Sequence, residues 1–173
     1  MMFFEYGSMM AFSWLFYCLL PILPLVYLVL RWRQGKPGEP EDTQLGLKVV
    51  LYYFGALGLH ICLIAVAVAL FGLMERHTEE FLRVSAGLLI GGGGIVGVML
   101  YMASNTNTRE FPRARRAMSG FSMILCGLAL AVGWVMTAMA LVIERSPDEM
   151  IKVGLVLVLV YGAGFSGFSR ALR

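Results

Sequence analysis

His60 is the one side chain of acid–base interest that lies deep inside an apolar run of this sequence. An ionisable group at such depth marks a functional site by default. Three chemistries suit an imidazole there: ligation of a b-type haem, contact with a quinone, or a place beside the path of a transported species. The plain alternative is a hydrogen-bonded packing residue. A haem wants a second strong ligand at similar depth. The other histidine, His77, falls in a polar segment, which leaves methionine as the partner. A proton relay wants a chain of acids or histidines, and no Asp or Glu lies within the apolar runs. The corresponding position in the second half of the chain holds Ala129.

Other catalytic patterns are missing. There is no G-x-S-x-G, no H-E-x-x-H, no phosphate-binding loop and no embedded pair of carboxylates. Cys18, Cys62 and Cys126 stand singly in apolar runs, with neither a C-x-x-C nor a Cys/His spacing, so they predict neither zinc nor a disulfide frame. An enzyme finds no support, and no resident cofactor is expected beyond the haem or quinone alternative at His60.

The elements that hold His60 are set by composition. Of 173 residues, 59% are hydrophobic and only 14% charged, against about 25% charged in a typical soluble domain. The charges gather in short clusters between apolar runs of membrane-crossing length, about 17–25 residues. The pattern predicts an all-α integral membrane protein with five transmembrane helices in a single domain over 1–173. No cleavable signal is evident at the N-terminus, so the first run is expected to stay as a helix.

Helix 1 is expected over about 9–30. Pro21 and Pro24 sit in its second half, where each removes a donor and predicts a kink, serving either as a hinge or as a fixed bend around the bundle. Arg31, Trp32 and Arg33 close it with an interfacial aromatic and two cations. The remaining helices are expected over about 47–74, 84–103, 117–143 and 153–169. The third contains Gly91-Gly92-Gly93-Gly94. In water four glycines would argue against a helix, but within an apolar span the backbone must bond to itself, so a helix is predicted.

Two polar turns organise these runs. Glu75-Arg76, with Glu79, Glu80 and Arg83 downstream, returns 69 positions later as Glu144-Arg145, with Asp148, Glu149 and Lys152. Flanking identities include Gly58/Gly127, Val66/Val135, Leu88/Leu157 and Gly93/Gly162. This predicts two tandem parallel helix-hairpin repeats behind helix 1, over about 46–103 and 115–170, related by an axis along the membrane normal. In the second copy Ser146, Pro147 and Glu149 suit the cap, first and third positions of a helix. The turns are expected to start helices; a ligand or partner site at Glu75, Arg76, Glu144 and Arg145 is the sharper alternative.

With five spans one side collects ten basic residues and the other four. The positive-inside rule then predicts an outer N-terminus and a cytoplasmic C-terminus, in the inner membrane if the source is bacterial. Arg109, Arg113, Arg115 and Arg116 should meet anionic headgroups. The cluster is too short, and too close to an apolar helix, for nucleic acid.

Small residues at Gly87, Gly91, Gly93, Gly94 and Gly97, answered by Gly162, Ser166 and neighbouring small residues in the last helix, allow close approach of helix backbones. Packing of the two hairpins within the chain, an interface with a second subunit, or close approach of a lipid or quinone would each use them. The twelve methionines and eleven phenylalanines suit lipid, core or a greasy pocket alike. Together these features predict a non-catalytic multi-pass subunit, assembling through its glycine-rich faces with itself or in a larger membrane complex. A small oligomeric channel or transporter, with Pro21 and Pro24 as its moving part, is the alternative; a redox subunit using His60 is the third.

Overall fold

The computed structural model describes residues 22–34, 44–75, 78–106, 112–142 and 148–172. These form five α-helices and no strand: α1 Ile22–Gln34, α2 Leu45–Met74, α3 Thr78–Ser104, α4 Pro112–Val142 and α5 Asp148–Leu172. The last four are long and apolar enough to cross a membrane. The start of the expected first helix, with Pro21, lies outside the described residues, as do Arg76, Arg109, Glu144, Arg145, Ser146 and Pro147. Pro24 is helical and exposed near the start of α1; position 20, four residues before it, whose carbonyl a proline kink would free, is outside the described residues.

Several helices run further into polar sequence than the apolar runs suggest. α3 begins at Thr78 rather than near 84, and α5 at Asp148, close to the start its capping pattern predicts and ahead of its apolar run near 153. Acids fill both first turns, Glu79 and Glu80 in α3 and Asp148 and Glu149 in α5. Negative charge there meets the positive end of the helix dipole, so polar residues extend the helix instead of ending it. α1 likewise continues through Arg31, Trp32 and Arg33 to Gln34. The Arg31 guanidinium folds back one turn and donates to the Tyr27 hydroxyl at 3.3 Å.

The four-glycine segment is continuous helix within α3. Gly92 explains part of the usage. Its face lies so close to α2 that an added Cβ would stand 2.8 Å from the Gly58 carbonyl oxygen and 2.9 Å from Cys62 Sγ. Elsewhere in the same hairpin Ser85, buried, donates to the Ala65 carbonyl at 2.8 Å. The second hairpin closes at different positions. There Gly154 of α5 abuts Thr137 and the Gly133 carbonyl of α4.

α2 and α3 pack along their length as one hairpin, α4 and α5 as another, and α2 joins them by packing on both α4 and α5. α1 lies against α2 and α4. The core sits at the end where these three helices meet, built from Leu30 of α1, Leu45, Val49, Tyr53 and Leu57 of α2, and Met118 of α4. Deeper along the bundle, Gly164 of α5 admits Leu63 of α2 beside Cys126 of α4.

Candidate functional site

Three features carry polar chemistry on this frame: His60, the ion pair between the hairpin turns, and a polar stripe on α4. His60 stands midway along α2 and is 6% exposed. Its ring stacks on Phe168 of α5 with centroids 6.0 Å apart and planes 25° from parallel. Nε2 has no hydrogen-bond partner among the described residues. No group of three or more His, Cys, Asp or Glu side chains with metal-ligand geometry occurs among them either. The imidazole is therefore held by ring contact with α5, and Nε2 is a buried polar atom without a partner among the described residues.

The first turn contributes Glu75, just past the end of α2, and the second turn contributes Lys152 in α5. Lys152 Nζ donates to Glu75 Oε1 at 2.8 Å, with both side chains about three-quarters buried. Position 83 is the first repeat's counterpart of 152. Arg83 instead pairs loosely with Glu79 of its own helix, at 4.0 Å and almost fully exposed. The charged turns thus do more than start helices: one acid and one base, 77 residues apart, fasten the two hairpins. Lys152→Glu is expected to destabilise the bundle by about 1.5–3 kcal/mol, the range for a hydrogen bond to a charged group. The double variant Glu75→Lys/Lys152→Glu should recover most of that loss in thermal unfolding followed in detergent. Equal instability of the single and double variants would show that the pair couples nothing.

The expected glycine-rich faces divide. A Cβ built at Gly87, Gly91, Gly93, Gly94 or Gly97 meets no atom of another element within 4 Å among the described residues. Gly162 makes ordinary contact with Leu130 of its own hairpin partner, and the Ser166 hydroxyl donates within its helix to the Gly162 carbonyl at 3.0 Å. The small-residue faces of α3 and α5 thus do not form the seam between the hairpins. That seam runs from α2 to α4 and α5, and of the four long helices α3 is the least buried and α2 the most.

Arg115 and Arg116 are exposed in the first turn of α4, and Arg113 belongs to the same turn. Two serines further along this helix are functional candidates that pattern alone does not single out. Arg115, Ser119 and Ser122 recur at i, i+4 and i+7, which is one face of a helix, and all three line a single cavity. The spacing is present in the sequence, but serines in an apolar run draw little notice beside histidine and arginine. Lys48 belongs by charge pattern with the basic residues at the membrane surface; in the fold it is 1% exposed. Comparison of the chain with protein-family models, with curated proteins and with solved structures finds no match to any of them.

Proposed function

We propose that the chain is a non-catalytic, multi-pass membrane subunit that assembles through the glycine face of α3, with copies of itself or within a larger membrane complex. The observation that carries this reading is the contrast within α3. Its Gly92 side is packed at backbone distance on α2, while Gly87, Gly91, Gly94 and, on the neighbouring row, Gly93 and Gly97 face open space. Lipid tails need no glycine. A run of bare backbone along an otherwise apolar helix is what a second helix uses to approach closely.

Large exposed apolar side chains ring the bundle, among them Ile90, Tyr101, Trp134 and Val142. Soluble monomers rarely leave such contiguous surface open, so the bilayer is the natural solvent. By the positive-inside rule the basic segments then put both hairpin turns outside and the C-terminus in the cytoplasm. Parallel repetition of the hairpins fits the charge distribution, because each hairpin returns the chain to its starting side.

Native mass spectrometry of the protein extracted in mild detergent tests the proposal. A multimer, or a fixed complex with other polypeptides, is expected for the native sequence. Gly91→Leu and Gly94→Leu should release folded monomer. A native monomer, or glycine variants that assemble as before, would refute it.

A further inference from the structure

Between α2, α3, α4 and α5 lies a cavity of about 270 Å³. That is larger than the apolar cavity of roughly 150 Å³ that admits a benzene. Its apolar wall includes Leu51 and Leu59 of α2, Val96 and Met99 of α3, and Phe168 of α5. Its polar wall is the α4 stripe, Arg115, Ser119 and Ser122, with Tyr52 of α2 near Arg115. At 1.5 Å per residue the three α4 residues descend about 10 Å along the helix. The same direction runs from Leu51 to Leu59 on α2 and from Ala103 to Val96 on α3, so the cavity enters from the end that carries the first turn of α4.

The polar groups differ in state. Arg115 is exposed in the first turn of α4 and stands at the mouth. Ser122 is 1% exposed, and its hydroxyl has no hydrogen-bond partner among the described residues. A buried hydroxyl without a partner needs an acceptor. His60 stacks on Phe168, one of the cavity's lining residues, but does not itself line the cavity.

We propose that this cavity binds an anionic glycerophospholipid from the surrounding leaflet. Its phosphate pairs with Arg115, an ester carbonyl accepts from Ser122, and one acyl chain lies along Leu59, Val96 and Phe168. The order of groups selects the ligand class. A cation at the mouth, a hydroxyl donor deeper and an apolar end match phosphate, ester and chain in sequence. A free fatty acid has oxygens at one end only and leaves one of the two polar sites unmatched. A quinone brings no charge for Arg115. The four arginines of the 109–116 segment favour a headgroup with net negative charge over a zwitterionic one. The proposal rests on the membrane reading but not on the α3 interface, because none of the outward glycines lines the cavity.

The test is photolabelling of the full-length protein in phosphatidylcholine nanodiscs. Three probes are compared, each with a diazirine in the acyl chain: phosphatidylglycerol, phosphatidylcholine and a fatty acid. Phosphatidylglycerol is expected to label the α2 segment 51–59 or the α4 segment 118–122 several-fold more than the other two. Arg115→Gln and Ser122→Ala should each reduce that labelling, and Ser122→Phe, which fills the cavity, should abolish it. Should Ser122→Phe fail to fold, the two milder variants decide. Equal labelling by all three probes, labelling insensitive to Arg115, or adducts confined to outward residues such as Ile90 and Val132 would overturn the proposal. A chain that remains monomeric yet labels in the cavity would remove the assembly reading and keep this one.

Discussion

Leucine at Gly92 is expected to break the first hairpin, whereas leucine at Gly91 leaves it folded. The two residues are neighbours in α3 but point to different surroundings. A Cβ at Gly92 stands 2.8 Å from the Gly58 carbonyl oxygen, 2.9 Å from Cys62 Sγ and 3.0 Å from Ile61 Cγ2. The nearest of these is backbone and cannot swing away, and Gly58 presents the same limit in reverse, with the Gly92 carbonyl at 2.9 Å. To admit a side chain the helices must separate, which loosens the close contacts on which helix association in lipid depends. Overpacking of a tight core costs about 1–3 kcal/mol and sometimes more, and the rigid neighbour places Gly92→Leu at the upper end. At Gly91 the same atoms enter open space. Unfolding in a graded detergent mixture, followed by helical circular dichroism, should separate the two variants clearly. Equal stability would mean that the α2–α3 crossing does not lie at Gly58 and Gly92.

The second hairpin makes a parallel prediction with a sharper control. Gly154→Ala should destabilise the α4–α5 pair by about 1–3 kcal/mol, and adding Thr137→Ala should not restore it. The nearest obstacle to a Cβ at Gly154 is the Thr137 hydroxyl, which alone would suggest relief by truncation. Behind it stand Thr137 N at 2.9 Å and the Gly133 carbonyl oxygen at 3.0 Å. The Thr137 hydroxyl is also engaged, donating to the Gly133 carbonyl at 2.8 Å. Removing it sacrifices a hydrogen bond and leaves both backbone obstacles in place. The same unfolding assay applies. Full recovery in the double variant would place the limit in the threonine side chain and not in the backbone. At the position equivalent by the 69-residue offset the first hairpin carries Ser85, whose hydroxyl is bonded across to Ala65, so the same position is closed by a hydrogen bond in one hairpin and by backbone contact in the other.

These contrasts mark the boundary of what is legible in the sequence. Apolar runs bounded by charged turns define the helices and their order, because burying or solvating a long apolar run leaves few alternatives to a helix. The glycine quartet reads as helix for the same reason. The pattern cannot reveal which way each glycine points. Gly91, Gly92, Gly93 and Gly94 are identical in chemistry, and only the crossing with Gly58 singles out Gly92. Repeat identity misleads in a similar way. Gly58 and Gly127 occupy matching positions, yet the first meets backbone at 2.9 Å and the second only the Phe165 ring at 3.4 Å. Closure at 58/92 in one hairpin and at 133/154 in the other reflects side chains that differ between the copies.

The polar groups divide along the same line. His60 is conspicuous because an imidazole among leucines has no bland equivalent. Its neighbour Phe168 belongs to the last helix, and no local spacing connects them. Ser122 is inconspicuous because serine in an apolar helix commonly bonds back to its own backbone; its missing partner emerges only in three dimensions. The Glu75–Lys152 pair lies inside the repeat signature, where matching positions invite comparison with each other. The contact joins non-matching ones.

The position of α2 has a consequence for how the molecule is made. It packs on each of the other four helices, and it precedes α3, α4 and α5 in the chain. Every later helix therefore emerges to find its main or bridging partner already in place. α3 docks directly onto a neighbour that awaits it. α4 has a place to wait against α2 until α5 arrives to complete its hairpin, and only then can Lys152 reach back to Glu75. The order of synthesis is also an order of docking, and the Glu75–Lys152 contact between the hairpins can form only after α5 has emerged.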